Sequence, residues 1–554
     1  MIRLDKKQKF TDKRLFVTIF AVFFVIFLFT SDGHRSTFDE EPPSQMALRI
    51  ATWTPHPEYV EGESKLHFEY PRFKNNTGSP LCINGILCGS GSVFHSLTET
   101  PLVLLNENLN IITESNLFFT LEDYNTEHYV WWRNSIDPSL TFVELFYGPI
   151  FVALSAGIFF LICRTFDYSQ KISVTLTAML VFSTIIWSYS QTSLNSIPLL
   201  FFILLGFLFI RKFTRDTNFL YLIIASVSLG LAFLSRADAA LFIAPLFLYL
   251  ILYTRKEKIK TRIKTFFVYS IPLTLAYVVY YILPSFRFDY SNLTSELVYV
   301  DGMLQRVVST TSINLTNIAE SKAVILPLQN IPILNHLIDF PLYIGGFGML
   351  FSPGVGLLIF CPILFLIFLA FPDFFKRNKP ECILFIVFFG CFIYYYGTTN
   401  TWHGLVSWGE RYLVVIIPFL MIPLGATLEK RRSIVFISIL IILCVIGAVV
   451  NISNLVQDVN FFIWGWPGYT GLFGIDVPID GVRHDLNIDP TTLWTFQYSQ
   501  LTNSLVGLST FESDILLIKI FSLPWYIFAF STSLGVVLYL MIIRNLSVIK
   551  KNVK

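Results

Sequence analysis

Asp39 and Glu40 lie in the stretch "SDGHRSTFDEEPPSQ" at 31–45, behind His34 and Arg35 and directly after an almost wholly apolar run. A carboxylate near neutral pH can accept a proton from an attacking hydroxyl. A second carboxylate beside it can orient an acceptor or help hold a divalent cation such as Mg or Mn. The same residues also have a plainer use. Asp39 suits a helix N-cap, and acids favour the positive end of the helix that follows.

Two further stretches carry ionisable groups between apolar runs. "LSRADAALFIAPL", 234–246, sets Arg236 and Asp238 in a four-residue break. Charges at membrane depth are costly and mark function by default, whereas at the water interface they form an ordinary ion pair. "YYYGTTNTWHGLVSWGERYLVV", 394–415, offers Trp402, His403 and Trp408 to stack on a sugar or line an interface. It also holds Glu410 and Arg411. The planar fork of an arginine suits a phosphate oxygen pair, and the alternative is a Glu–Arg pair anchoring a helix end. Gly404 and Gly409 permit tight backbone there. "FSPGVGLLIFCPILF", 351–365, breaks an apolar run with two prolines and two glycines, which is tolerated where backbone lines a cavity or packs against protein. Glu144 is a lone acid near the start of another apolar run.

The elements that must position these residues are membrane helices. The chain has 554 residues, 54% of them hydrophobic and 14% charged, with 56 Phe and a mean hydropathy of +0.61. A soluble domain carries about 25% charged residues. Twelve runs reach spanning length, roughly 15–30, 140–163, 172–190, 197–210, 218–234, 239–254, 266–284, 354–371, 382–397, 412–428, 433–450 and 521–543. Of 40 Lys and Arg, 27 fall in the N-terminus, the C-terminus and the short connections on one side. The positive-inside rule then places both termini in the cytoplasm and Asp39 outside. The first run reads as a retained anchor, since no small-x-small cleavage site follows it. The expected fold class is an all-α polytopic membrane protein of about twelve transmembrane helices, with a small mixed α/β lid outside.

This reading divides the chain into 1–30 (cytoplasmic N-terminus and first span), 31–139 (first outer loop with acidic motif and lid), 140–284 (spans two to seven), 285–353 (outer loop and interfacial segment), 354–450 (spans eight to eleven), 451–520 (aromatic-rich outer loop) and 521–554 (last span and tail). Within the first loop, Glu40 to Trp53 has helical apolar spacing, and 57–130 alternates polar and apolar residues as short strands do. Cys82 and Cys88 fall there, where an oxidising compartment permits a disulfide. The other five cysteines sit in or beside apolar spans. The sequons at Asn75, Asn292, Asn314 and Asn451 are expected outside. All eight histidines fall in outer segments without ligand spacing, and there is no zinc CxxC, Walker A loop or Rossmann fingerprint. The net charge of +2 gives no reason to expect nucleic acid. No internal repeat appears, which weakens a transporter of repeated halves.

Taken in order, the first span with "GHRSTFDEE", then "WSYSQTSLNSIPLLFFILLGF", "GLAFLSRADAALFIAPL", "FSPGVGLLIFCP" and "WHGLVSWGERYLVVIIPFL", the chain resembles the GT-C superfamily of membrane glycosyltransferases. The similarity is to the protein O-mannosyltransferase and aminoarabinose transferase branch (glycosyltransferase family 39-like). It leaves 57–130 uncovered. The resemblance implies a polyprenyl-phosphate-linked sugar donor taken from the lipid bilayer, a protein or glycan hydroxyl acceptor, and inverting transfer on the outer face of the plasma membrane. Asp39 and Glu40 match the family's acidic motif, with Asp39 as catalytic base and Glu40 orienting the acceptor. Arg411, then Arg236, would bind the donor phosphate. His34, Arg35, Asp238, Trp402, His403, Trp408 and Glu410 would line the substrate site. Relatives carry an acid before the proline of the fourth span, where this chain has "SLNSIP", so a metal site is left open and no cofactor is required. A lipid-linked saccharide flippase and a polysaccharide ligase are the competing readings. A flippase needs ionisable groups through the whole depth, whereas these cluster at one face.

Overall fold

The structure is a computed structural model. It describes residues 6–34, 40–52, 81–82, 86–87, 93–113, 138–287, 297–300, 303–306, 340–399, 401–404, 407–430, 433–456, 490–497, 499–507 and 515. Among these residues it is mostly helical. The helices are α1 (Lys6–Phe29), α2 (Glu41–Thr52), α3 (Val93–Leu109), α4 (Pro138–Thr165), α5 (Gln170–Phe182), α6 (Ser196–Asp216), α7 (Phe219–Ser235), α8 (Ala240–Tyr253) and α9 (Ile259–Arg287). They continue as α10 (Leu342–Phe351), α11 (Leu357–Phe360), α12 (Ile367–Arg377), α13 (Lys379–Gly397), α14 (Ile417–Lys430), α15 (Ile434–Val456), α16 (Pro490–Trp494) and α17 (Gln500–Gly507).

Five of them are long and apolar enough to cross a membrane: Pro138–Thr165, Ser196–Asp216, Ile259–Tyr280, Lys379–Gly397 and Ile434–Val456. Helix α4 is apolar on all sides and is buried by α1, α5 and α6. By contrast α9 and α15 turn Ile271, Leu275, Ile441 and Ile442 outward, as lipid-facing helices do. The core is aromatic. Phe166, Phe207, Phe374, Phe385 and Phe419 interlock where α6, α12, α13 and α14 meet.

The basic ends are closed by buried ion pairs. Arg164 meets Asp12 at 3.2 Å. Arg211 is paired with Glu381, whose carboxylate also accepts the Tyr249 hydroxyl at 2.7 Å. Arg211 additionally lies 4.4 Å from the centre of the Phe166 ring.

Several expectations are corrected. The third expected span, 172–190, is helical only to Phe182. Ser183 through Asn195 then forms an irregular turn around a 3-10 segment, Ser188–Gln191. Thr184, Ser190 and Thr192 bond carbonyls three or four residues back, while Ser188 and Gln191 bond other helices, so the side chains take over from a regular helical ladder. The eighth, 354–371, is broken into α11, a 3-10 turn at Pro362–Leu366 and α12. The tenth begins as a 3-10 turn at Arg411–Leu413. The twelfth lies outside the described residues.

Within the expected mixed α/β lid, 93–109, part of the stretch expected as short strands, is helix α3. Its buried His95, Ser96, Glu99, Thr100, Val103 and Asn106 recur at helical spacing, so a polar buried face hid the period from a reading of apolar residues. Among the described residues there, β1 (Leu81–Cys82) pairs antiparallel with β2 (Ile86–Leu87). In the next outer segment β3 (Leu297–Val300) pairs antiparallel with β4 (Met303–Arg306). Cys88 lies outside the described residues, as do the side chain of Cys82 and the sequons Asn75, Asn292 and Asn314. Asn451 is not an outer-loop residue. It is fully buried in α15, where it accepts the Ser188 hydroxyl at 3.1 Å.

Candidate functional site

Helix α7 ends at Ser235, and Arg236 then adopts an extended backbone before the 3-10 turn Ala237–Ala239 leads into α8. This break directs Arg236 and Asp238 to one place, with Arg236 Nη2 3.1 Å from Asp238 Oδ2. Tyr396, in the last turn of α13, joins them. Its hydroxyl donates to Asp238 and accepts from Arg236. The Tyr396 ring stacks on Tyr412 at 3.9 Å and 9°.

The Arg236 guanidinium lies 5.3 Å from the Tyr412 ring centre, and the Arg411 guanidinium lies 5.2 Å from the same centre. Two cations therefore share one aromatic ring, an arrangement in which ring quadrupoles favour cations. Both arginines are half-buried, and Arg236 is paired with Asp238. Gly404 and Gly409 both have positive φ, at +73° and +61°, which favours glycine. A methyl group added at Gly404 would lie 2.9 Å from Arg411 Cγ, so this glycine leaves room for the cation.

Glu410 is fully buried. Its Oε1 accepts the Tyr412 amide at 3.3 Å, and its Oε2 has no hydrogen-bond partner among the described residues. Burial pushes this carboxyl well above the usual carboxylate range, and the Tyr412 amide, Arg411 and Arg236 only partly oppose that. A carboxyl with a raised folded-state pKa favours the fold while protonated, and loses that contribution as pH rises through the raised value. Glu410→Gln is therefore expected to keep its melting temperature as pH is raised from acid through neutral to alkaline, where the parent protein loses stability. Thermal melts across that range check it, and an equal loss in both proteins would contradict it.

The acidic motif reaches the same neighbourhood through the irregular turn. Glu40 is 1% exposed, and its Oε1 accepts the backbone N–H of Ser193 at 3.1 Å. In the same turn, Tyr189 lies beside Ser407 and within electrostatic reach of Arg411, Glu410 and Arg236. The turn is anchored elsewhere too. Gln191 donates to the carbonyls of Thr30 and Leu455 at 2.7 and 3.1 Å, and the Trp187 indole donates to Thr30 at 3.3 Å. Gly148 of α4 packs directly against the carbonyls of Ser190 and Thr192, one turn after the buried Glu144.

His34 pairs with Asp32 at 3.6 Å, both buried, at the end of α1. Trp402 is buried against Gly348, His403 and Trp494. Trp408 packs edge-on to Phe360 at 4.9 Å, with its indole N–H unpartnered among the described residues. Asp39 and Arg35 lie outside the described residues. Sequence reasoning missed Tyr189, Tyr396 and Tyr412. The signal for two of them was present, since "YYYG" ends one helix and "ERYL" sets a tyrosine beside a charged pair. Among the described residues no three His, Cys, Asp or Glu side chains converge to hold a metal ion.

Residues 142–282, from α4 into α9, match the family described as dolichyl-phosphate-mannose-protein mannosyltransferases. The matched stretch includes the irregular turn, Arg236 and Asp238. Among solved structures, ArnT from Cupriavidus metallidurans bound to undecaprenyl phosphate aligns with 13% identity and a TM-score of 0.41 over 79% of this chain. The alignment spans 65% of that protein's length. No curated protein matches the chain.

Proposed function

We propose that this protein transfers a sugar from a polyprenyl-phosphate-linked donor to an acceptor hydroxyl at the outer face of the membrane. The observation that carries the reading is the mannosyltransferase match over 142–282, which spans the turn that holds Glu40 and the break that presents Arg236.

In the proposed reaction the acceptor oxygen attacks the anomeric carbon from the face opposite the lipid phosphate, which inverts the configuration. Its proton passes to Asp39. The bond from the anomeric carbon to the phosphate oxygen breaks, and polyprenyl phosphate leaves with the electron pair. Negative charge grows on that phosphate in the transition state, where a fixed cation is most useful. Arg411 is favoured for this role, because Gly404 leaves room beside its side chain, with Arg236 second. Arg236, Tyr396 and Tyr412 then form the wall that fixes Arg411. Glu40 ties the acidic motif to the turn bearing Tyr189.

The test incubates purified protein in detergent with radiolabelled polyprenyl-phosphate sugars and hydroxyl acceptors. Donor consumption with formation of a glycosylated acceptor is expected. Translocation of intact donor in vesicles, with no consumption in detergent, would identify a flippase instead. Arg411→Lys keeps the charge but loses the fork, and a roughly 10–100-fold fall in turnover is expected.

A further inference from the structure

At the basic end of the bundle, α8 and α9 diverge and leave a groove of about 330 Å³. Its walls include Phe247, Leu250, Ile263, Phe266 and Phe267, and the one charged side chain lining it is Arg262. Next in sequence to the lining residues Thr254, Ile259 and Arg262 are Arg255, Lys258 and Lys260, all exposed and, like Arg262, without an ion-pair partner among the described residues.

The placement of these cations runs against helix electrostatics. The start of a helix carries about half a positive charge and favours acids. The first turn of α9 contains no acid. Glu257 precedes it alone, in a run that otherwise reads Arg255, Lys256, Lys258, Lys260, Arg262 and Lys264. Lys264 is occupied against the Phe219 ring at 4.1 Å. A like-charged helix start beside an apolar groove is stabilised by a ligand with both a negative group and a hydrocarbon chain.

We infer that this groove binds an anionic phospholipid, with one acyl chain between α8 and α9 and its phosphate on Arg262 and the first turn of α9. The apolar walls exclude a bare anion as the whole ligand, and the unpaired cations select against a zwitterionic lipid. The site lies at the opposite end of α8 from Arg236 and Asp238, so it is separate from the proposed transfer site.

The test is native mass spectrometry of the full chain released from detergent containing equal dioleoyl phosphatidylglycerol and dioleoyl phosphatidylcholine. Selective retention of phosphatidylglycerol is expected. Each removed cation is expected to lower retention about fivefold, so Arg262→Gln with Lys258→Gln should lower it roughly 25-fold. Ile263→Trp, which fills the groove and leaves the charge unchanged, should lower it as well. Lys171→Gln, an exposed cation elsewhere, should leave it unchanged, and thermal melts confirm that each variant is folded. Equal retention of both lipids, an equal effect of Lys171→Gln, complete displacement by inorganic phosphate, or a dimer mass showing a second copy over the groove would each overturn the proposal.

Discussion

Asp39→Asn is expected to lower sugar transfer by about 10²–10⁴-fold with an unchanged melting temperature. The substitution is chosen for what it preserves. Asn caps a helix about as well as Asp, so the N-cap reading of position 39 predicts a variant that is folded and fully active. Only a role that needs a proton acceptor loses rate. Single-turnover measurements with a saturating labelled donor separate the chemical step from donor binding. Wild-type turnover in Asp39→Asn would remove this residue from the reaction and leave the proposed base without a candidate.

The second large effect concerns the opposite end of the bundle. Glu381→Ala is expected to destabilise the protein by about 3–5 kcal/mol, because it leaves the buried Arg211 guanidinium without its counter-charge. The Tyr249 hydroxyl, which donates to Glu381, would also lose its acceptor. Most of this loss comes from the stranded charge. Replacing both members, as Arg211→Met with Glu381→Leu, should therefore recover much of the stability, since apolar substitutes for a buried pair are often neutral. Thermal melts of the two variants side by side provide the check. A double variant no better than Glu381→Ala would show that the pair specifies the packing of α6 on α13, and not merely balances charge.

How far these features were legible in the sequence depended on which physical signal carried them. Long apolar runs identify α4, α6, α9, α13 and α15, because hydrocarbon admits few alternatives to a helix. The Arg236–Asp238 break was also visible, since two charges between apolar runs have few places to go. Helix α3 was not. Its buried face is made of His95, Glu99 and Asn106, so a search for apolar periodicity reads the wrong side of it. The end of α5 at Phe182 was equally hidden, because the segment after it carries no charge to mark a boundary, and Ser188 and Gln191 are satisfied by distant partners, Asn451, Thr30 and Leu455, that no local pattern shows. The Tyr396–Tyr412 stack joins residues from two helices across a loop, and such a contact leaves no local trace.

The break after α10 has a consequence for how the protein is made. Gly354 donates its amide to the carbonyl of Leu493 at 3.1 Å, the Ser352 hydroxyl donates to the same carbonyl at 2.6 Å, and Gln500 donates to the carbonyl of Gly354 at 2.6 Å. Unwound peptide groups in the middle of the chain are thus sealed by a segment translated well over a hundred residues later. Until that segment emerges, the amide and carbonyl of Gly354 and the Ser352 hydroxyl lack these partners, so this part of the bundle is completed late in synthesis and chains cut short before residue 490 are expected to be less stable.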